Sequence, residues 1–213
     1  MNIFLEEKVT KPIEGVSEKI LACAKKEFLE KGYSEASLRT IAAKADTTTG
    51  SIYSRFRDKE GLFGAIVEPA ADGLIQIFLK IQEEFHAVKA EDQPRLMEKY
   101  VSSGMDEMLD YVYERFEEFQ LLLDASYGTR YQDFVEQLVD IETEYTYKYM
   151  EATKFLQDGS EITEEFVHIT ARAMFDSMFE VARHRMDRET ARKYIHMLEQ
   201  YHYGGWGALI KLG

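Results

Sequence analysis

Apolar residues recur every three or four positions along almost the whole chain, and no run alternates with period two between turn signals. The pattern predicts an all-α protein of about nine helices. A first helix is expected from Pro12, a favoured first-turn residue, with Ile13, Val16, Ile20, Ala24 and Phe28 on one face and Gly32 at its end. Ser37 is placed to cap a short second helix carrying Leu38, Ile41, Ala42 and Ala45 and ending at Asp46. Thr48 is placed to cap a third, which turns Ile52 and Phe56 inward before Arg57 and Asp58 interrupt the pattern. With Asp58 as cap, a long fourth helix runs through Leu62, Phe63, Ile66, Val67, Leu74, Ile77, Phe78 and Ile81 toward Phe85. It contains Pro69, which removes a backbone hydrogen bond and crowds the carbonyl four residues back, so a kink is expected near Ala65. Five further helices are predicted at 93–113, 115–125, 130–156, 162–185 and 188–211, separated by Asp92-Gln93-Pro94, Ser126-Tyr127-Gly128, Gln157-Asp158-Gly159-Ser160 and Met186-Asp187-Arg188.

Charge divides the chain where the pattern does. Residues 1–64 carry 11 Lys/Arg and 10 Asp/Glu, whereas residues 65–213 carry 15 and 29, so the net charge of −13 resides in the second part. A nearly neutral head on an acidic body suits a protein that meets a polyanion with one end only. The expected organisation is an N-terminal three-helix helix-turn-helix domain over 1–64 and a larger helical bundle over 65–213. Charges interrupt the apolar stretches, so no run is expected to reach the roughly 18 residues of a membrane span. The N-terminus has glutamates where a signal peptide has basic and then apolar residues, and the chain is expected in the cytoplasm. Cys23 is the one cysteine, expected as a small buried thiol, and it rules out an internal disulfide.

Two short helices joined by a tight turn and supported by a third form the helix-turn-helix arrangement, in which the second short helix lies in the DNA major groove. Thr47, Thr48, Thr49, Gly50, Ser51 and Ser54 give that helix a small, polar outer face. The stretch from Ile20 to Phe63 further carries Phe28, Gly32-Tyr33, Ser37, Ile41-Ala42, Ala45, Thr48, Gly50, Tyr53, Phe56, Lys59-Glu60 and Leu62-Phe63. On these residues and their spacing the chain resembles the TetR family of transcriptional regulators, with an AcrR-type N-terminal helix-turn-helix. The resemblance implies DNA contacts from Ser37, Arg39, Thr48, Thr49, Gly50, Ser51, Tyr53, Arg55 and Lys59. Arg39 would pair with phosphate or a guanine edge, Thr48, Ser51, Tyr53 and Lys59 would hold the backbone, and Thr49, Gly50 and Arg55 would meet bases. Asp46 stands where the family has a turn glycine, and Thr47 where it has an apolar residue that pins the turn. Aspartate tolerates the left-handed conformation such a turn requires.

Beyond about residue 67 the resemblance fades, and family membership implies a small-molecule effector pocket and a homodimer through the last two helices. Met105, Met108, Tyr111, Tyr127, Phe134, Tyr149, Met174, Phe175 and Met178 are the ligand-binding candidates, for an apolar or aromatic compound. Met150, Phe119, Tyr131 and Tyr145 extend the same rich region, which reads equally well as plain core. Glu107, Asp110, Glu114, Glu117 and Glu118 leave a cationic effector open, should one of them face inward. At the end of the chain Ile162, Phe166, Ile169, Ala173 and Met174 are expected to pair with Tyr194, Met197, Leu198, Tyr201, Gly204, Trp206 and Ala208.

The implied function is a ligand-responsive repressor that binds a pseudo-palindromic operator as a dimer and is released by an effector. The fourth helix, which starts in the head and continues into the body, would be the lever. The five histidines, His86, His168, His184, His196 and His202, include no i, i+4 ligand pair, and no glycine-rich phosphate loop occurs. No enzyme activity, catalytic residue, metal or cofactor is therefore expected. The alternative function is a helical adaptor that binds protein partners through its acidic bundle.

Overall fold

The computed structural model describes residues 15–154 and 162–210, and among these all regular structure is helical. Nine helices follow one another: α1 (Val16–Glu35), α2 (Leu38–Lys44), α3 (Thr49–Phe56), α4 (Lys59–His86), α5 (Gln93–Glu114), α6 (Phe116–Asp124), α7 (Phe134–Ala152), α8 (Glu164–Arg183) and α9 (Arg188–Ile210). The expected start at Pro12 and Ile13, the separator at Gln157–Ser160 and the predicted helix ends at 155–156 and 211 lie outside the described residues.

Three caps form where local chemistry demanded them. Ser37 Oγ accepts from the Thr40 amide, Thr48 Oγ1 from Ser51 and the Asp58 carboxylate from Gly61, at 3.4, 3.2 and 2.7 Å. The α2–α3 turn takes the shape that Asp46 permits. Asp46 is left-handed, with φ 58°, the Thr47 amide donates to the Ala42 carbonyl at 2.9 Å, and Asp46 donates to Ala43. These are the two bonds of a Schellman ending, so the aspartate occupies the glycine's place without losing the motif. Thr47 holds the turn through its own amide and is half-buried.

Two boundaries differ from expectation for identifiable reasons. Gly32 does not end α1; it breaks the helical path with φ 72° and ψ 170°, and a last turn resumes to Glu35. Helix α7 begins at Phe134 rather than 130, because Thr129 turns back on Ser126 and its hydroxyl accepts the Tyr131 amide at 3.1 Å. At Pro69 helical geometry continues without interruption, so the helix is not broken where a kink was expected. Ile162 precedes α8, whose cap is Thr163.

Helix α4 is the central strut, packed by α1, α3, α5, α6 and α7, while α8 covers α6 and α7 and α9 lies across α5 and α8. By length and composition α4 is apolar enough to cross a membrane, contrary to the expectation that no run reaches that length. Its apolar face is used inside the fold, where Leu62, Phe63, Val67, Ala70 and Leu74 are wholly buried. One buried cluster runs from Ile20, Phe28, Ile41 and Ile52 through Phe63 to Phe119, Phe175 and Ile195, so the small N-terminal helices and the bundle share a core. Cys23 is half-buried and packs against that core.

Besides α4, several contacts tie the first helices to the bundle. The Tyr33 amide donates to the Ala125 carbonyl at 3.0 Å, and the Lys25 ammonium lies 2.9 and 3.0 Å from Glu117 and Glu118. The Arg130 amide donates to Glu60 at 2.9 Å and its guanidinium to Glu68 at 3.2 Å.

Candidate nucleic-acid interface and internal cavity

The polar residues singled out in the head come together around the start of α3. Thr48, Gly50 and Tyr53 are exposed, and Thr49, Ser51 and Arg55 are half-buried beside them. Tyr53 keeps 53% of its surface in solvent, unusually much for an aromatic residue on a helix whose opposite face buries Ile52. On α2, Arg39 points outward and Ser37 is spent on the cap. Arg55 folds back along α3, its guanidinium 2.6 Å from Ser51 Oγ, so both side chains hold one another as the structure stands. Lys59 donates to the Ser34 carbonyl at 2.9 Å and lies 4.9 Å from the centre of the Tyr33 ring. Burial lowers its pKa, although the nearby Glu35 acts the other way. It fastens α4 to the end of α1 while two of its three donors remain for another acceptor.

The support beneath α2 is an ion pair the sequence did not mark. Glu27 is buried, and its carboxylate accepts from Lys44 at 2.8 Å and from the Ser37 backbone, which holds its pKa below the usual range. Arg57, next to α3, is exposed with a left-handed backbone, φ 69°, and joins the cationic residues of this face.

A model of bacterial regulatory proteins of the tetR family matches residues 20–66, which span α1 to the first turns of α4. Residues 20–66 thus carry the pattern of that family. Over most of its length the chain also has the fold of solved TetR-family regulators. A TetR-family regulator, PfmR of Thermus thermophilus, aligns with 21% identity and a TM-score of 0.58, covering 85% of this chain and 97% of that one. NalD, the secondary repressor of the MexAB-OprM multidrug efflux pump in Pseudomonas aeruginosa, aligns with 18% identity and a TM-score of 0.56, covering 88% and 95%. SmeT in its triclosan complex aligns with 20% identity and a TM-score of 0.57, covering 88% and 90%. Among curated proteins none matches this chain in sequence.

In this TetR-like body a cavity of about 170 Å³ lies between α4, α5, α7, α8 and α9. Of the nine ligand-binding candidates, Met105, Met108, Tyr149 and Met174 line it. The other five lie elsewhere. Phe134, Phe175 and Met178 are packed into the core, Phe175 edge-on to Phe78 at 5.4 Å. Tyr111 reaches the Pro69 carbonyl at 3.1 Å, and Tyr127 is 82% exposed. The pattern could not separate core from cavity wall, because both use the same apolar register.

What the sequence reading passed over is polar. Glu142 on α7 and Glu199 on α9 line the cavity, with His86 on α4 and His202 on α9. A signal for them existed. Leu138, Glu142, Tyr145 and Tyr149 share one helical face, as do Ile195, Glu199, His202 and Trp206, so both glutamates stand in an apolar register. The acids expected as a possible cation site are engaged outside: Glu107 near Lys80, Asp110 with Arg188 and Arg192, Glu117 and Glu118 with Lys25. Glu114 is exposed.

On the outer surface Glu136, Asp140 and His168 bring their ligand atoms within 4.8 Å of one another. Glu136 is already shared between Arg172 at 2.8 Å and His168 at 3.3 Å, and a guanidinium at this place disfavours a bound cation.

Proposed function

We propose that the protein is a sequence-specific DNA-binding transcriptional repressor that acts as a homodimer and is released from a pseudo-palindromic operator by a small-molecule effector. The observation that carries this reading is the exposed polar start of α3, with Thr48 as its cap and Tyr53 and Arg39 outward, inside the segment that matches the family. Residues 1–64 then act as the DNA-binding unit and 65–213 as the effector-binding and dimerisation unit, in a cytoplasmic protein. Arg39, Thr48, Thr49, Gly50, Ser51, Tyr53, Arg55 and Lys59 provide the contacts, with Ser37 ordering α2.

The last two helices support dimerisation. Phe166, Ile169 and Ala173 on α8, and Met197, Tyr201, Gly204 and Ala208 on α9, are exposed. The remaining members of that expected face are used within the chain. Met174, Leu198 and Trp206 line the cavity, and the Tyr194 hydroxyl donates to Ser177. A two-fold pairing of α8 and α9 covers the outward apolar residues and sets two heads on successive half-sites. For the effector, the TetR-like SmeT structure with triclosan supports a ligand in this body, and the cavity supplies the room.

Selection of duplexes from a random pool by the purified protein, followed by fluorescence anisotropy on the enriched sequence, tests the reading. Enrichment of a two-fold-related site is expected, with affinity that falls steeply as salt rises. Arg39→Ala and Tyr53→Ala are each expected to weaken binding roughly tenfold, as loss of a phosphate or base contact does, with helicity and dimer mass unchanged. A folded dimer that enriches no sequence leaves the adaptor function instead.

A further inference from the structure

Two carboxylates stand in the wall of a cavity rich in aromatic rings and methionines, and none of their neighbours in that wall is a lysine or arginine. Glu142 accepts from the Gln82 amide at 2.7 Å and the Thr146 hydroxyl at 3.4 Å, both neutral donors. Glu199 keeps a buried Oε1 with no hydrogen-bond partner among the described residues. The histidines favour their neutral form, since burial lowers the pKa of both His86 and His202, with Lys148 adding to this at His86. Lys148, on the same helix as Glu142, lies 4.0 Å from the centre of the Tyr145 ring and is paired with Glu144 at 2.6 Å. Burial raises the Glu199 pKa; His196 and the Ser102 hydroxyl oppose that, and Asp106, itself held by Arg192 at 2.7 Å, adds to it.

An unpaired carboxylate in an apolar enclosure is costly, so it either takes up a proton or awaits a positive partner. The enclosure around these two supplies the other half of a cation site. Tyr100, Tyr145, Tyr149 and Trp206 present rings whose faces attract positive charge, and Met97 and Met105 fill the gaps between them. We infer that this cavity selects a compact amphiphilic cation: an aromatic or apolar body carrying one protonated nitrogen, held between Glu142 and Glu199 and enclosed by the rings.

The two other ligand classes fit less well. An anion finds two acidic side chains and no lysine or arginine in the wall, and a neutral apolar molecule leaves Glu199 Oε1 without a donor. A cavity of about 170 Å³ is slightly larger than the roughly 150 Å³ that encloses a benzene, so the body is one ring with a short chain. The glutamates, ionised by an arriving cation, release any proton they hold. The inference rests on the reading of this cavity as the effector site.

Three probes on one skeleton test it: phenylbutylamine, phenylbutanol and phenylbutanoate, titrated at neutral pH against the purified 213-residue protein. Trp206 is the protein's one tryptophan and lines the cavity, so its emission reports occupancy, with calorimetry as an independent measure. The amine is expected to bind about tenfold tighter than the alcohol, as one desolvated charge-assisted contact provides, and the acid weakest. Glu142→Gln and Glu199→Gln are each expected to lower the amine's affinity roughly fivefold or more and the alcohol's by clearly less. Alcohol or acid binding as tightly as the amine overturns the cationic class but leaves a ligand cavity. An amine affinity untouched in the double variant overturns the role of the two glutamates. Binding of none of the three overturns both the class and the cavity as effector site, while DNA selection by the head is scored separately.

Discussion

Phe63→Ala is the sharpest test of a core shared between head and bundle. The Phe63 ring is wholly buried and lies edge-on to Phe28 at 5.1 Å and to Tyr33 at 5.4 Å, with Tyr131 at 6.1 Å. It therefore joins α1, the start of α4 and the turn before α7. Truncating a buried phenylalanine costs about 3–5 kcal/mol in lost transfer energy and residual cavity. That range already includes lost ring contacts, and a site with three aromatic neighbours belongs at its upper end, about 4–5 kcal/mol. For a chain of this size each kcal/mol moves the melting temperature by about 2–4 °C, so a fall of about 8–20 °C is expected. Calorimetry and urea denaturation followed by circular dichroism, at one fixed protein concentration, measure it. Because the buried cluster is continuous, the whole protein is expected to melt lower in one transition. A loss under about 1 kcal/mol refutes the packing argument. A new early transition, with the main one unmoved, refutes the shared core.

Glu142→Gln is expected to stabilise the empty protein, and more so at high pH. Burial raises the Glu142 pKa, and Gln82 and Thr146, which face it from α4 and α7, are uncharged and only partly offset this. The folded state thus binds the proton more tightly than the unfolded one, and stability from this group falls as pH rises from about 4.3, the unfolded value, through the folded value. Melting curves of both proteins from about pH 4 to pH 8 check this, and a gap that widens toward low pH contradicts it. Gly61→Ala places a Cβ against the Phe56 carbonyl, a backbone group that cannot yield as a side chain does, with the Asp58 carboxylate beside it. A loss of about 1–3 kcal/mol in urea denaturation is expected from such overcrowding, and an unchanged midpoint rejects the close approach.

The legible parts of this molecule are those whose causes are local. Ser37, Thr48 and Asp58 are short oxygen-bearing side chains set three residues before the amides they accept, and all three caps form. Asp46 is legible for the same reason, since its left-handed tolerance is a property of the residue itself. Pro69 does not break α4, which runs through it within the packing of α1, α5, α6 and α7. The cavity is illegible for a further reason. Tyr149 and Phe175 are both apolar positions on their helices, and only the spacing between α4, α5, α7 and α9 makes one a wall and the other core. Glu142 and Glu199 left a trace as acids in apolar register, but acid-rich helices on every side hid it. The fate of Arg55 and Lys59 was hidden too, since their partners are Ser51 within α3 and Ser34 across the fold.

The bonds from Tyr33 to Ala125 and from Arg130 to Glu60 and Glu68 alter what α4 can do as a lever. A leaf hung on one pin swings any way; hung on two, it turns only about the line through them. The head is held at the start of α4 by Arg130 and along α6 by two ties from α1, Lys25 to Glu117 and Glu118 and Tyr33 to Ala125. A displacement of α6 in the body that keeps those bonds carries α1 with it, so α4 is one of two elements through which the body holds the head.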